Sequence, residues 1–215
     1  MTRKYLEVLG TPAVLRAQEN AYGRSRPVHG DAERDPLGPD EAAFIAARDS
    51  FYLATVSEAG WPYIQHRGGN AGFLRALDPH TLGFADYRGN RQLLSTGNLA
   101  ANDCVSLFLM DYPHRARLKI LGRARTLDAR ENPELVTRLA EPEMRREVER
   151  LILVDVVSFD WNCPKFITPR FTAAEVRSVL EPLQHRIAEL EARLAEAAAP
   201  RPSASDGRGA AREGE

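Results

Sequence analysis

Cysteine is scarce in this chain of 215 residues, which contains only Cys104 and Cys163. Two cysteines are too few for the disulfide framework of a small secreted domain, so we expect free thiols. Long apolar runs are also missing, because no stretch approaches the roughly 20 apolar residues of a membrane-spanning helix. The first residues, MTRKYLEVLG, do not resemble a signal peptide. We therefore expect a cytoplasmic protein with no membrane partner.

An excess of one charge is absent as well, since 29 lysines and arginines oppose 30 acidic residues and the net charge is -1. A balanced chain has no long-range attraction for nucleic acid or acidic membranes, so neither is an expected partner. Hydrophobic residues make up 43% of the chain and charged residues 27%, an ordinary globular composition that allows a substantial core. A local basic cluster is still able to bind a phosphate group.

The common catalytic motifs are missing too. The sequence has no P-loop, no GxGxxG after a strand, no HExxH and no GxSxG. Four of its five histidines are scattered without metal-ligand spacing: His66, His80, His114 and His185. We therefore predict no metal site, and the sequence identifies no catalytic side chain.

What the sequence does contain is a series of strand-like segments. Residues 51–57 are rich in aromatic and β-branched side chains, and residues 62–67 return after a turn. Residues 105–110 are continuously apolar, as in a central strand that is buried on both faces. Six strands interrupted by short helices, such as 41–48 and 90–99, favour a closed or partly closed antiparallel barrel. We predict a mainly β (α+β) fold of this kind, with a long C-terminal helix.

The composition divides the chain into four parts. These are an N-terminal arm over residues 1–39, a barrel over residues 40–171, a helix over residues 172–199 and a tail over residues 200–215. The tail lacks large apolar residues, so we expect it to be disordered.

The C-terminal helix has a start signal and an apolar seam. Thr172 and Glu175 fit a capping box, and Pro182 is expected to kink or restart the helix. Apolar residues recur along it at alternating steps of four and three: Val176, Leu180, Leu183, Ile187, Leu190 and Leu194. This coiled-coil-like seam packs either on the chain's own barrel or on a partner, and the pattern leaves both open.

Polar groups gather at the ends of two predicted strands. The segment QHRGG closes one strand, and DYRGNRQ joins another strand to the predicted helix 90–99. Arginine offers a planar fork of donors that matches phosphate oxygens, and Arg91 would lie in the first helical turn, where the helix dipole also favours an anion. These segments predict a phosphate cradle. The alternative is that the arginines are solvated or paired with carboxylates.

The same segments resemble the pyridoxamine 5'-phosphate oxidase-like family of FMN-binding split barrels. The resemblance covers residues 40–172 and rests on FYLATVSEAGWPYIQHRGG, TLGFADYRGNRQLLSTGNLAANDCVSLFLMD, RLKILGRAR and DWNCPKFITPRFT, in that order. The RLKILGRAR strand is closer to another branch of the family than to the vitamin-making enzymes. The resemblance implies a six-stranded antiparallel split β-barrel with short flanking helices. It also implies a homodimer with two FMN sites at the subunit interface.

Site residues are carried over by position. The resemblance implies contacts to the FMN phosphate and ribityl chain from Arg67, Arg88, Asn90, Arg91 and Gln92. It implies that Gln65 and His66 line the flavin edge, and that Arg117 or Lys119 places positive charge near the ring. It further implies three residues that reach the ring or the substrate from the partner subunit: Trp161, Asn162 and Arg170.

This sequence differs from the vitamin-making oxidases at a position that affects which substrate we expect. Those enzymes carry Ser-Arg-Lys where this chain has Asn90-Arg91-Gln92, so one phosphate-binding lysine is absent. We therefore do not expect oxidation of pyridoxamine phosphate. The predicted function is an FMN-dependent oxidoreductase that acts on a small organic substrate.

Two alternatives to this function stay open. One is a non-enzymatic module that binds or senses flavin or haem, with His66 or His114 as an iron ligand and the C-terminal helix as a partner surface. The other keeps the enzyme class and replaces FMN with the deazaflavin cofactor F420, which related barrels accept.

Overall fold

A computed structural model describes residues 2–30, 33–89, 91–161 and 164–198. The chain divides into two units, Met1–Pro169 and Arg170–Glu215. Three predictions fall outside the described residues: the site roles of Asn90 and Asn162, and the disordered tail over residues 200–215.

The first unit is built on a seven-stranded antiparallel sheet, so the predicted mainly β (α+β) fold is confirmed. Its strand order is β2-β1-β5-β6-β7-β4-β3. The strands are β1 Ser50–Val56, β2 Pro62–Gly68, β3 Arg75–Asp78, β4 Thr81–Tyr87, β5 Cys104–Asp111, β6 Ala116–Asp128 and β7 Val148–Trp161. The sheet therefore has seven strands and not six, counting the short edge strand β3, which pairs with β4.

The sheet curls so that its two ends approach each other. Arg67 on β2 donates a hydrogen bond to Asp86 on β4 at 2.6 Å, although five strand spacings, roughly 24 Å, would separate these strands in a flat sheet. Phe51 on β1 likewise meets Phe84 on β4 with ring centroids 5.3 Å apart. The concave face encloses the core, whose most deeply buried members include Leu53, Leu82, Leu107, Leu118, Ile120, Ile152 and Val154. This closure is the split barrel that the resemblance implied.

Short helices flank the sheet in the first unit. They are α1 Arg3–Leu9, α2 Pro12–Tyr22, α3 Pro39–Ala46, α4 Leu94–Ala101 and α5 Pro133–Leu139, with 3₁₀ turns at Ala129–Glu131 and Pro142–Glu147. The helix predicted over residues 90–99 begins at Leu94, so Arg91 lies before it and not in its first turn. The physical reason is backbone conformation, because Arg91 and Leu93 adopt left-handed φ angles of 58° and 56°, which an α-helix excludes.

The second unit contains one long helix, α6, over Ala173–Ala198. The predicted capping box is present: the Thr172 backbone N–H donates to Glu175 Oε2 at 2.7 Å, and the Glu175 N–H donates back to Thr172 Oγ1 at 3.2 Å. Pro182 lies inside the helix, which continues past it without the predicted restart. No helix in the described parts of the chain is both long and apolar enough to cross a bilayer.

Candidate functional site

A cavity of about 160 Å³ opens where β2, β4, the loop after β4 and the start of α4 meet. Its walls are polar, and four residues predicted for the site contribute to them: Gln65, Arg67, Arg91 and Gln92. The other lining residues are Tyr63, Asp86, Tyr87, Gly89, Leu93, Leu94, Ser95, Thr96 and Arg150. The cavity therefore joins the two predicted cradle segments and adds residues from α4 and β7.

The loop that enters α4 has an unusual backbone. Arg91 and Leu93 both have positive φ, which costs an ordinary L-residue roughly 1–2 kcal/mol. Such conformations are concentrated at functional sites, where the surrounding structure holds them in place. Leu93 is also the N-cap of α4 and has no polar side chain to satisfy the first-turn N–H groups. Because Leu94 and Ser95 line the cavity, this uncapped helix start provides donors and a positive dipole end for an anion.

Two arginines bridge one carboxylate at the wall of the cavity. Arg67 Nη1 lies 2.6 Å from Asp86 Oδ1, and Arg150 Nε lies 2.9 Å from Asp86 Oδ2. Arg150 also pairs with Glu149, its Nη2 lying 3.1 Å from Glu149 Oε2, so two carboxylates oppose these two guanidinium groups. Asp86 is only 8% exposed, so little solvent screens its ion pairs. Within the described part of the chain, the buried Nε of Arg67 has no hydrogen-bond partner.

Hydrogen bonds fix α4 against the sheet and so position the loop. Ser95 is 2% exposed, and its Oγ donates to Gln65 Oε1 on β2 at 2.8 Å. Asn98 Nδ2 donates to Thr55 Oγ1 on β1 at 2.9 Å. These contacts tie the helix start and the strand end into one frame, which pre-organises the donors for an anion.

Strand pleating separates the remaining predicted residues from the cavity. Side chains alternate between the two faces of a strand, so Gln65 and Arg67 point to the cavity side and His66 to the convex face. There His66 packs edge-on against Tyr52, its partner on β1, with ring centroids 5.7 Å apart. Arg117 on β6 is directed to this convex face as well, because Leu118 beside it is buried in the core.

Lys119, also on the convex face, belongs to a separate buried cluster. Its Nζ lies 2.8 Å from Asp160 Oδ2 and 4.9 Å from the ring centre of Tyr5 on α1. Burial raises the pKa of the Tyr5 hydroxyl, and the neighbouring Lys119 charge only partly offsets that effect. Within one chain, this lysine is therefore placed against α1 and not at the cavity.

Two further predicted residues of the first unit lie away from the cavity, and a third belongs to the second unit. Arg88 is mostly exposed, with its Nε 3.5 Å from Glu149 Oε1. Trp161 ends β7, packs edge-on against Phe44 and donates from Nε1 to Glu41 Oε1 at 2.6 Å. Arg170 belongs to the second unit.

Sequence reasoning missed several residues of the cavity, above all Asp86 and Arg150. Asp86 is the first residue of the segment DYRGNRQ. A carboxylate within an otherwise buried strand was a signal that it has a cationic partner. Arg150 immediately precedes the apolar run of β7, and only the register Asp86↔Arg150 brings it to the site. Ser95 and Thr96 were missed as cavity residues because the start of α4 was predicted four residues too early, so they were not expected in its first turn.

A curled antiparallel sheet with a polar cavity at one end defines the split-barrel class of fold. The family profile described as Pyridoxamine 5'-phosphate oxidase matches residues 37–160, more than half of the chain. The chain therefore belongs to the pyridoxamine 5'-phosphate oxidase family. No curated protein matched it.

Solved structures similar to this chain come from proteins with several different names. A putative pyridoxamine 5'-phosphate oxidase from Lactobacillus delbrueckii is 18% identical over 58% of this chain and 93% of its own, with a TM-score of 0.46. An F420 reductase is 19% identical over 57% of this chain and 98% of its own, with a TM-score of 0.41. HutZ, the haem storage protein of Vibrio cholerae, is 15% identical over 56% of this chain and 90% of its own, with a TM-score of 0.39.

Proposed function

We propose that this protein binds FMN and uses it as an oxidoreductase acting on a small organic molecule. The observation that carries the proposal is the polar cavity beside Arg67, Arg91 and the uncapped start of α4. Guanidinium groups and free backbone N–H groups are the donors that a phosphate monoester needs. Membership of the pyridoxamine 5'-phosphate oxidase family supports FMN as the molecule that supplies this phosphate.

The dimensions of the cavity fit one end of FMN. Sites that enclose a whole cofactor-sized ligand have volumes of roughly 300–1,000 Å³, and this cavity has about 160 Å³. The cavity therefore suits the phosphate and the adjoining part of the ribityl chain, while the ring would lie outside it. Arg67 and Arg91 would hold the phosphate, and the Ser95–Gln65 contact would keep the helix start in place.

The chemistry of the reaction would come from the cofactor. Bound FMN supplies hydride or electron transfer, and the protein binds it, orients it and tunes its environment. This division of labour is consistent with the absence of a recognisable catalytic motif in the sequence. We do not propose pyridoxamine phosphate as the substrate, because the lysine of the Ser-Arg-Lys turn is replaced by Gln92.

We further propose that the protein is a homodimer whose second copy completes the site. The convex face at β1 and β2 carries Tyr52 at 41% exposure and Ile64 at 66% exposure. Exposed apolar side chains on one face of the sheet are suited to contact with a second copy. The same face presents His66 and Arg117, which the pleat keeps away from the cavity of their own chain. A second copy offers a way to bring such groups to the flavin ring.

The test is an absorbance spectrum of the purified protein, followed by mass spectrometry of the ligand released on denaturation. The proposal expects FMN, and protein stripped of ligand should then bind added FMN. Riboflavin is the matched control, since it has the same ring and ribityl chain without the phosphate. If riboflavin binds as tightly as FMN, the cavity is not a phosphate site.

Two further outcomes would replace the proposal. Released haem or F420 would favour one of the alternative cofactors, and colourless protein that ignores added FMN would remove the flavin site. Where FMN is found, oxidation of NADH or NADPH by the loaded protein separates an enzyme from a storage or sensing module. Sedimentation equilibrium of the same sample measures the proposed dimer.

A further inference from the structure

An apolar stripe runs along α6 and is open to solvent. The six seam residues are between 41% and 69% exposed, with Leu190 the least and Leu194 the most exposed. Val179 beside the stripe is 64% exposed. The helix has 26 residues, so the stripe follows a rod about 39 Å long. A continuous apolar stripe of this kind needs a covering surface, since isolated surface leucines are ordinary but a row of them is not.

The spacing of the stripe fits the heptad of a coiled coil. Steps of four and three place Leu180, Ile187 and Leu194 at the a positions. The d positions are then Val176, Leu183 and Leu190. Of the three a positions, the central one is β-branched and has leucine at the neighbouring d positions, a combination that favours two strands over three or four in a parallel coil. The stripe is also self-complementary, because the same six residues can face themselves across a twofold axis.

The charges beside the stripe distinguish between the two helix directions. In a parallel pair the g position faces the e position of the following heptad, so Arg186 of one copy meets Glu191 of the other, twice by symmetry. In an antiparallel pair with all six layers aligned, Arg177 meets Glu191 of the second copy, again twice, but Arg186 faces Arg186. Both directions therefore have two attractive pairs, and the parallel arrangement alone has no like-charge pair along its flanks.

We propose that α6 pairs with α6 of a second copy as a parallel, in-register, two-stranded coiled coil. Roughly three heptads form a short coiled coil, so pairing would depend on protein concentration unless another contact holds the copies together. The proposal does not rest on flavin binding or on pairing of the barrels. Parallel pairing would place the two Thr172 residues about 10 Å apart. The chain of both first units would then enter the coil at the same end.

Cysteine cross-linking of the full chain tests both the pairing and its direction. Leu194→Cys in a Cys104→Ser/Cys163→Ser background should form an intermolecular disulfide under mild oxidation, because equivalent a positions lie side by side in a parallel pair. Ala192→Cys is the matched control, since position 192 is an f position on the outside of the coil. We expect Leu194→Cys to cross-link at least about tenfold faster, given the distance limits of a disulfide. Equal rates would overturn the proposal.

The relative direction of the two helices is measured with a mixture of two cysteine variants. Val176→Cys chains mixed with Leu194→Cys chains should give each homodisulfide and little heterodisulfide. Predominant 176–194 heterodisulfide would show an antiparallel pair and refute the parallel arrangement.

Charge reversal supplies an independent readout. Arg186→Glu should slow cross-linking through Leu194→Cys, and Arg186→Glu/Glu191→Arg should restore it, with helicity measured by circular dichroism in each variant. If the double variant is no faster than Arg186→Glu at equal helicity, the proposed pair of Arg186 with Glu191 is wrong.

Discussion

Two substitutions of Arg91 distinguish the energetic cost of its strained backbone from the contribution of its side chain to ligand binding. Arg91 lines the cavity, is exposed, and has a φ of 58° that alanine tolerates no better than arginine. Arg91→Ala therefore removes the guanidinium and keeps the strain, whereas Arg91→Gly removes both. If the strained loop serves phosphate binding, the two variants should lose FMN affinity alike and differ in stability.

The structure sets the size of both effects. A charge-assisted hydrogen bond contributes roughly 1.5–3 kcal/mol, so either variant should weaken FMN binding about 10- to 150-fold. Release of the left-handed conformation gains roughly 1–2 kcal/mol in Arg91→Gly, and the greater freedom of glycine in the unfolded chain removes roughly 0.5–1 kcal/mol of that gain. The difference of these ranges is about 0–1.5 kcal/mol, so we expect the protein without ligand to be more stable as Arg91→Gly than as Arg91→Ala by up to about 1.5 kcal/mol.

The assay is fluorescence titration of FMN and riboflavin, combined with urea unfolding of the ligand-free variants. Arg115→Gly is the matched control, because Arg115 is also exposed, has a φ of 53° and lies in the turn between β5 and β6, outside the cavity lining. It should gain stability like Arg91→Gly and bind FMN normally. Unchanged FMN affinity in Arg91→Ala, or an equal loss in Arg115→Gly, would refute a phosphate contact by Arg91.

Three further predictions concern the stability of the first unit. Asp86→Asn leaves the two arginines that it bridges without their carboxylate, so we expect urea unfolding to show a loss of roughly 3 kcal/mol, and no loss would contradict a structural role for this ion cluster. Burial raises the pKa of Asp111, but hydrogen bonds from the backbone and ring of His114 outweigh it, and the net pKa lies below its usual value. This group therefore stabilises the fold above pH about 3.9 and loses that contribution as the pH falls through its lowered pKa, so Asp111→Asn should flatten the acid limb of stability against pH. Gly122→Ala would place a Cβ 2.5 Å from Val154 Cγ1, so we expect thermal unfolding to show a loss of roughly 1–3 kcal/mol, and wild-type stability would mean that β7 moves aside freely.

Local patterns in the sequence predicted most of the strands and the start of the C-terminal helix, but not the start of α4. Alternation and apolar runs marked the strands, and the residues of the Thr172 capping box marked the start of α6, because both signals depend on near neighbours. The start of α4 was misplaced because Arg91 and Leu93, neither of them glycine, adopt positive φ, and that choice is made by tertiary contacts.

The sequence predicted those residues of the candidate site that lie in its two short polar segments. Gln65, Arg67, Arg91 and Gln92 were identified and line one cavity. Arg150 was not, because its place beside a carboxylate 64 positions earlier depends on the register of β4 with β7. Long-range register is fixed by the packing of the whole sheet, and a single sequence does not encode it in any short motif.

The pleat also gives a physical reason for a flavin site to be shared between two copies. Neighbouring residues on β2 must point to opposite faces, so Arg67 and His66 cannot both reach one small cavity in a single chain. The family resemblance nevertheless implied that both contact the cofactor. A second copy removes the conflict, because its convex face could supply His66 and Arg117 to a ring that extends out of the first chain's cavity. On this reasoning, variants of His66 should alter the flavin absorbance spectrum while leaving the preference for FMN over riboflavin intact. A change in that preference instead would place His66 at the phosphate end and remove the argument for sharing.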